Sequence, residues 1–375
     1  MDKREQEMPD LLQKRGISRR EFLKFCTVMA GTLALPVEFA PRIANALEQT
    51  KRPPVIWLEF QDCAGCTESL LRAHHPTIAE IVLDVLSLNY HETIMAPSGL
   101  QAEQSLKDTV AAGGYLTIVE GAIPTADDGV YCCIGGRTAL DILEEVASNT
   151  EAIITVGACA FYGGWPNTSP NPTGAVGVKD IISDVPMINL PGCPPNAANI
   201  TATLVHYLTF HSLPETDELG RPLFAHGMRI HDNCERRGHF DAGEFVRQWG
   251  DEGHRKGWCL YQMGCKGPIA FHNCPSIRWN EGTSWPVGAG HGCFACAAPH
   301  FWERPIYEPL KPEEIWGRTP PTTYPPVEAP PAAWSMNVGL AAAAGAAGLA
   351  VGATAVALAG QRAARKGSGE EEEES

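Results

Sequence analysis

The sequence predicts an α/β protein. A parallel-sheet domain over residues 53–213 is followed by a smaller, irregular domain over 214–315. Three observations predict it. Up to Leu213, apolar runs of strand length alternate with segments of helical spacing. Beyond Leu213 that periodicity fades into a stretch rich in Gly, Pro, Trp and His. The second stretch also carries Cys234, Cys259, Cys265, Cys274, Cys293 and Cys296, and so little apolar pattern needs a disulfide or metal staple.

The elements follow in order. PPVIWLEF (53–60), a short apolar run after prolines, reads as a strand. TIAEIVLDVLSLNYHE (77–92) carries both helical and strand signal. YLTIVEGAIP (115–124) is strand then loop, and TALDILEEVASNT (138–150) has helical spacing. AIITVGACA (152–160) is a buried strand, PMINLPGCPPN (186–196) is strand then loop, and AANITATLVHYLTF (197–210) is a helix. In the second domain only DAGEFVRQWGDEG (241–253) reads as helical. Cys63, Cys159 and Cys193 each stand just past the carboxyl end of an expected strand, where the loops of an open parallel sheet converge.

The two ends read as addresses. SRREFLKF (18–25) is like a bacterial twin-arginine export signal; the apolar FCTVMAGTLAL follows, then a small-x-small site at Ala44–Ala46. Residues 1–46 are therefore set apart from the fold. That route carries proteins already folded, often with cofactors in place. Residues 316–335 are a Pro-rich linker, and 336–360 are uncharged and long enough to span a bilayer as a helix. Trp334 precedes that run, Gly348 and Gly352 offer a small-xxx-small face, and Arg362, Arg365 and Lys366 place the 361–375 tail in the cytoplasm. The net charge of −15 leaves no basic stripe for nucleic acid.

Thirteen cysteines pose the chemical question. Six in an exported domain could form three disulfides on a non-redox scaffold, or hold two structural zinc ions. Cys63-x-x-Cys66 with TESLLRA (67–73) behind it could be a thioredoxin-like dithiol. Thiolates delivered from three separate loops, Cys63 and Cys66, Cys159, and Cys193, suit a four-iron cluster better than a zinc knuckle.

WLEFQDCAGCTESLLRAHHP, VEGAIP, GACAFYGGWPN, NPTGA, PGCPPN, IHDNCERRGHFDAGEF, GWCLYQMGCKGP and WPVGAGHGCFACAAPHFWE occur in that order. Together they resemble the small subunit of nickel–iron hydrogenases, nearest to the membrane-anchored respiratory type, over roughly residues 53–305. The resemblance implies a flavodoxin-like first domain and three clusters in a row. A proximal 4Fe-4S cluster falls to Cys63, Cys66, Cys159 and Cys193; a medial 3Fe-4S cluster to Cys274, Cys293 and Cys296, with Pro286 where a fourth cysteine would stand. A distal 4Fe-4S cluster falls to His231, Cys234, Cys259 and Cys265; among the neighbouring histidines 226, 239, 254, 272 and 291 it is the resemblance that selects His231. Gly65 and Gly164 stand where oxygen-tolerant members carry extra cysteines, which implies the oxygen-sensitive form; Ala197 replaces an expected proline. Cys26 belongs to the export segment, and Cys132 and Cys133 read as small apolar residues, too close for a mutual disulfide.

The implied role is conduction. Electrons would pass between a nickel–iron large subunit and a cytochrome b or other quinone-reactive membrane partner, on the periplasmic side of the inner membrane. Glu59 and Glu120, near the first cluster, read as structural hydrogen-bonding groups before a proton path. The alternative is an iron–sulfur subunit of another exported quinone-linked oxidoreductase, which the second cysteine-rich domain argues against.

Overall fold

A computed structural model describes residues 19–49, 52–73, 86–280 and 282–311. The first eighteen residues, the linker at 316–335, the expected membrane helix at 336–360 and the tail at 361–375 lie outside the described residues. Among the described residues no helix is long and apolar enough to cross a membrane.

Five parallel strands form the sheet: β1 Pro54–Glu59, β2 Ser87–His91, β3 Tyr115–Glu120, β4 Thr150–Val156 and β5 Met187–Leu190. Their spatial order is β2-β1-β3-β4-β5, the flavodoxin-like winding. β3 is buried at every residue, because helices cover both faces, and this is why the central strands read as unbroken apolar runs. Alternate side chains still part to opposite sides. Val55, Trp57, Leu116, Ile118 and Ile154 enter one core, while Ile56, Leu58, Tyr115, Val119 and Ile153 enter the other. Each such buried aliphatic side chain contributes about 1.5–3 kcal/mol of transfer free energy.

The first core is closed by α3 (Gly65–Leu71) and α7 (Ala197–Phe210). The second is closed by α4 (Leu100–Ala112) and α5 (Ala139–Ala147). The side chain of Asn196 caps α7 by accepting from Ala198 N–H at 2.9 Å, and Thr138 caps α5 by accepting from Asp141 N–H at 3.1 Å. Thr138→Ala is expected to weaken the first turn of α5 by about 1 kcal/mol, read as roughly fivefold faster amide exchange there with the sheet unchanged. α4 was not expected from the sequence: it buries only Leu106 and Thr109 and leaves Leu100 at 88% exposure, so no apolar stripe announces it.

Two expectations are corrected. The described part of residues 1–46 is not apart from the fold. α1 (Arg19–Thr32) and α2 (Ala40–Gln49) pack on α7, with Cys26, Met29 and Ile43 in the first core. The Phe39 ring lies 6.1 Å from that of Phe210, and the Arg42 guanidinium 4.8 Å from the Phe210 centroid. Residues 241–253 do not form a helix. Asp241 ends a short turn of helix, Gly243 takes φ +72°, and Phe245 pairs as a bridge with Cys259 through Cys259 N–H to Glu244 O and Val246 N–H to Cys259 O. The apolar spacing that mimics a helix is Phe245 and Val246 turning inward, Val246 to the domain's core and Phe245 onto Phe240 and Tyr261.

From 214 to 311 no described helix exceeds five residues. The core there is small: Ile230, Val246, Leu260, Trp285 and Val287 packed with Cys265, Cys274 and Cys293. The carboxamides of Asn199 on α7 and Asn273 exchange two hydrogen bonds of 3.0 Å, and Asn196 donates to Arg278 O at 2.6 Å, tying this region to the sheet domain.

Candidate metal centres

Parallel pairing brings the carboxyl ends of β1, β3, β4 and β5 to one edge. Cys63 and Cys66 follow β1, Cys159 opens α6 (Ala158–Tyr162) after β4, and Cys193 follows β5. The loops are laced together: Gly157 N–H donates to Leu190 O and Ala158 N–H to Gly192 O, both at 2.9 Å, and Ser69 Oγ donates to Pro195 O at 2.7 Å. The four thiols are near enough to act on one another electrostatically. Burial first, and then Glu120 and the other three thiols, push Cys66 up; burial pushes Cys159 to about 12. Two glycines make room for the sulfurs. A Cβ on Gly157 (φ +94°) would stand 2.5 Å from Cys66 Sγ, and one on Gly164 (φ +54°) 2.5 Å from Cys159 Sγ. Gly65 is looser, its added Cβ 3.1 Å from Cys63 Sγ.

Glu120 sets the first turn of α3. Its Oε1 accepts from Cys66 N–H at 2.8 Å, and its Oε2 accepts from Thr67 N–H at 2.9 Å and from Thr67 Oγ at 2.7 Å. Negative charge at a helix start is favourable, so this buried carboxylate fixes the turn that carries Cys66. Glu59, its register partner, accepts from Thr67 Oγ at 3.0 Å. The structural reading of both carboxylates is thus supported by their bonds.

A second group forms where His231, Cys234, Cys259 and Cys265 line one cavity with Ile230, Leu260 and Val287. Burial holds His231 down to about 4, so its imidazole is neutral with a lone pair free to act as a ligand, and its ring rests edge-on against Phe240 at 4.5 Å. His226, His239, His254 and His291 face Phe271 O, Glu244, Gly290 O and Gly292 O instead. His272 accepts from Cys274 N–H at 3.0 Å, orienting a neighbouring thiol.

Cys274, Cys293 and Cys296 line a third, mostly apolar cavity with Trp279, Trp285, Phe294 and Pro286. Cys193 of the first group also borders it. On the other side, Cys293 N–H donates to Cys265 Sγ of the second group at 3.2 Å. The three groups are therefore contiguous, with the Cys274 group in the middle. Buried Lys266 lies at the junction of the last two: its backbone N–H donates to Cys293 O, and its ammonium donates to the carbonyls of Gly264, Pro305, Ile306 and Glu308.

Cys234, Cys259, Cys265, Cys274, Cys293 and Cys296 form no disulfide, so the staple of the second domain is not an S–S bond. Cys132 is half-buried, and exposed Cys133 donates to Val130 O at 3.5 Å. Ten thiols and one neutral imidazole, gathered as four, four and three, fit metal–sulfur chemistry: burial alone disfavours thiolates, and a coordinated cation restores them.

Comparison with known proteins agrees with this reading. Residues 226–307 match the family model for the C-terminal part of the NiFe/NiFeSe hydrogenase small subunit, and residues 63–207 that of the NADH ubiquinone oxidoreductase 20 Kd subunit. The periplasmic NiFe hydrogenase small subunit 1 of Nitratidesulfovibrio vulgaris is 50% identical over 302 residues, 79% of this chain and 95% of that one. The chain belongs to the nickel–iron hydrogenase small-subunit family. The quinone-reactive Ni/Fe-hydrogenase small chain of Wolinella succinogenes is 46% identical over 80% of this chain and 86% of its own length. In structure, the NiFeSe hydrogenase of Desulfomicrobium baculatum superposes with a TM-score of 0.65 at 38% identity, covering 69% of this chain and all of the matched chain. This hydrogenase small subunit therefore has an electron-transfer role within an oxidoreductase. Its sequence did not point to Thr67, His91, Glu92 or Lys266. Their importance comes from strand register and loop closure, which single-residue patterns do not encode.

Proposed function

We propose that this chain is the electron relay of a periplasm-facing, quinone-linked nickel–iron hydrogenase. Cys63, Cys66, Cys159 and Cys193 would hold a proximal 4Fe-4S cluster, Cys274, Cys293 and Cys296 a medial 3Fe-4S cluster, and His231, Cys234, Cys259 and Cys265 a distal 4Fe-4S cluster. Bound there, such clusters take up and pass on single electrons. The observation that carries the reading is contiguity: Cys193 borders the cavity of Cys274, Cys293 and Cys296, and Cys293 donates to Cys265 Sγ.

The chain's own residues set the conditions for transfer. Backbone N–H groups of Arg236 and Ala295 point at Cys234 Sγ (3.4 Å) and Cys293 Sγ (3.3 Å), spreading sulfur charge into the protein. The apolar walls around the middle group exclude water. Cys63 is exposed, and Val130, Tyr131 and Trp165 are also exposed. Burial raises the Cys193 thiol and nearby Trp165 partly offsets that, so at least part of this surface adjoins the first group, and we assign it to the large subunit.

The twin-arginine segment, a membrane helix at 336–360 with a cytoplasmic tail, and a cytochrome b or other quinone-reactive partner complete the proposal. The oxygen-sensitive form follows from Gly65 and Gly164. Purification from membranes with metal analysis tests it. Roughly eleven irons per chain, summed as four, three and four, are expected with matching sulfide and a nickel-containing partner. A colourless chain, or one whose iron is replaced by zinc, overturns it.

A further inference from the structure

We infer that Glu59, His91 and Glu92 form a separate binding site for a divalent metal ion, beside but not within the proximal thiol group. The site sits at the carboxyl ends of neighbouring strands β1 and β2. Parallel pairing places Trp57 opposite His91, and the two rings stack at 5.2 Å, which fixes the imidazole. One ligand atom from each of the three side chains lies within 4.8 Å of the other two. Glu59 Oε2 is 3.5 Å from His91 Nδ1, with side chains 6% and 1% exposed.

The charge balance argues for a cation. Glu59, Glu120, Glu92 and Asp62 crowd one another, and among the described residues no lysine or arginine pairs with any of them. The donors are too few. The single Thr67 hydroxyl hydrogen is in reach of both Glu59 Oε1 and Glu120 Oε2. The Glu59 N–H donates to Glu92 Oε2 at 3.0 Å, and Thr93 Oγ donates to Glu59 Oε1 at 3.3 Å. Glu59 Oε2 and Glu92 Oε1 are buried with no hydrogen-bond partner at all.

Two remedies exist for such a cluster: protons or a metal. Protons would neutralise the carboxylates, and burial does raise Glu92 to about 8. But a proton on Glu92 Oε1 would have no acceptor, so the group would remain unsatisfied. A cation uses both orphaned oxygens at once. The His91 ring nitrogens have long contacts, Thr93 N–H to Nδ1 at 3.3 Å and Thr67 Oγ to Nε2 at 3.4 Å, which a cation bound at one nitrogen would replace. Two carboxylates and an imidazole suit a borderline first-row ion, with water completing the shell from the half-buried Glu92 side. The charge would be felt at the thiols, because Glu59 and Glu120 share Thr67 and Glu120 holds the Cys66 N–H.

Zinc is the probe. The purified complex is equilibrated with Zn²⁺, freed of excess, analysed for zinc and iron, and crystallised for anomalous differences taken across the zinc edge, above those of nickel and iron. The expected result is about one zinc per chain, with a peak between Glu59, His91 and Glu92. His91→Phe, which keeps the stacking on Trp57, and Glu92→Gln should each lower zinc affinity at least tenfold at unchanged iron content. No zinc in the unaltered complex, or equal zinc in the variants, overturns the assignment whatever the variants' folding. Iron content reads the relay proposal separately, so the two can fail independently.

Discussion

Replacing Gly157 by alanine is expected to empty the proximal group. The iron content should fall by about four per chain and hydrogen-dependent dye reduction by at least about a hundredfold, while the remaining iron stays. The reason is a coincidence of two constraints at one residue. Gly157 takes φ +94°, a conformation L residues rarely adopt, and its missing Cβ is the space into which Cys66 Sγ projects, 2.5 Å from where that carbon would be. It cannot step aside, because its N–H is bonded to Leu190 O and the next N–H to Gly192 O, the link that positions the Cys193 loop. Gly136→Ala is the control: φ is +82° but nothing lies within 4 Å of the added carbon, so it should carry backbone strain alone and keep its iron. Full iron in Gly157→Ala would show that the four thiols do not share one cluster.

The sheet domain was legible because burial on both faces makes its strands predominantly apolar, and β1, β3, β4 and β5 stand out between polar loops. α5 and α7 announced themselves by their helical spacing. α4 did not, since a helix that buries two side chains leaves little periodic trace. The second domain was legible only in its chemistry. Its chain path is set by turns and bridges around Cys234 to Cys296, so local spacing misled at 241–253, where two inward residues imitate a helical face. The packing of residues 19–49 was not legible for a different reason: a short apolar run reads the same whether it serves as an address or packs on α7, and composition does not distinguish those fates. In the sites, the thiols were visible as types and spacings. The carboxylate cluster around Glu59 was not, because its members meet through the β1–β2 and β1–β3 registers, across gaps of 33 and 61 residues from Glu59 to Glu92 and Glu120 (92 − 59 and 120 − 59).

Pro286→Cys is expected to change the kind of cluster rather than remove one. Pro286 lines the cavity of Cys274, Cys293 and Cys296, and the family resemblance implies that it stands where a fourth cysteine would be. Proline has no donor atom in its side chain, so under the proposed assignment the three thiols hold a three-iron unit. A cysteine there adds a thiolate without disturbing the local chain: the Pro286 carbonyl still accepts from His291 N–H at 2.9 Å, and losing the ring removes no hydrogen bond. Iron should rise from about eleven to about twelve per chain. The half-integer-spin signal of an oxidised three-iron unit should disappear, and the potential of the middle group should drop by at least about 100 mV, since the added thiolate increases its negative charge. Because this group lies between the other two, a lower potential places an uphill step in the middle of the relay. Electron flow should slow less than it does in Gly157→Ala, because a short uphill step among contiguous groups hinders transfer while a missing first group ends it. An unchanged iron count with an unchanged spectrum would mean that residue 286 does not face the middle cluster, and that the trio of thiols is completed by some other donor.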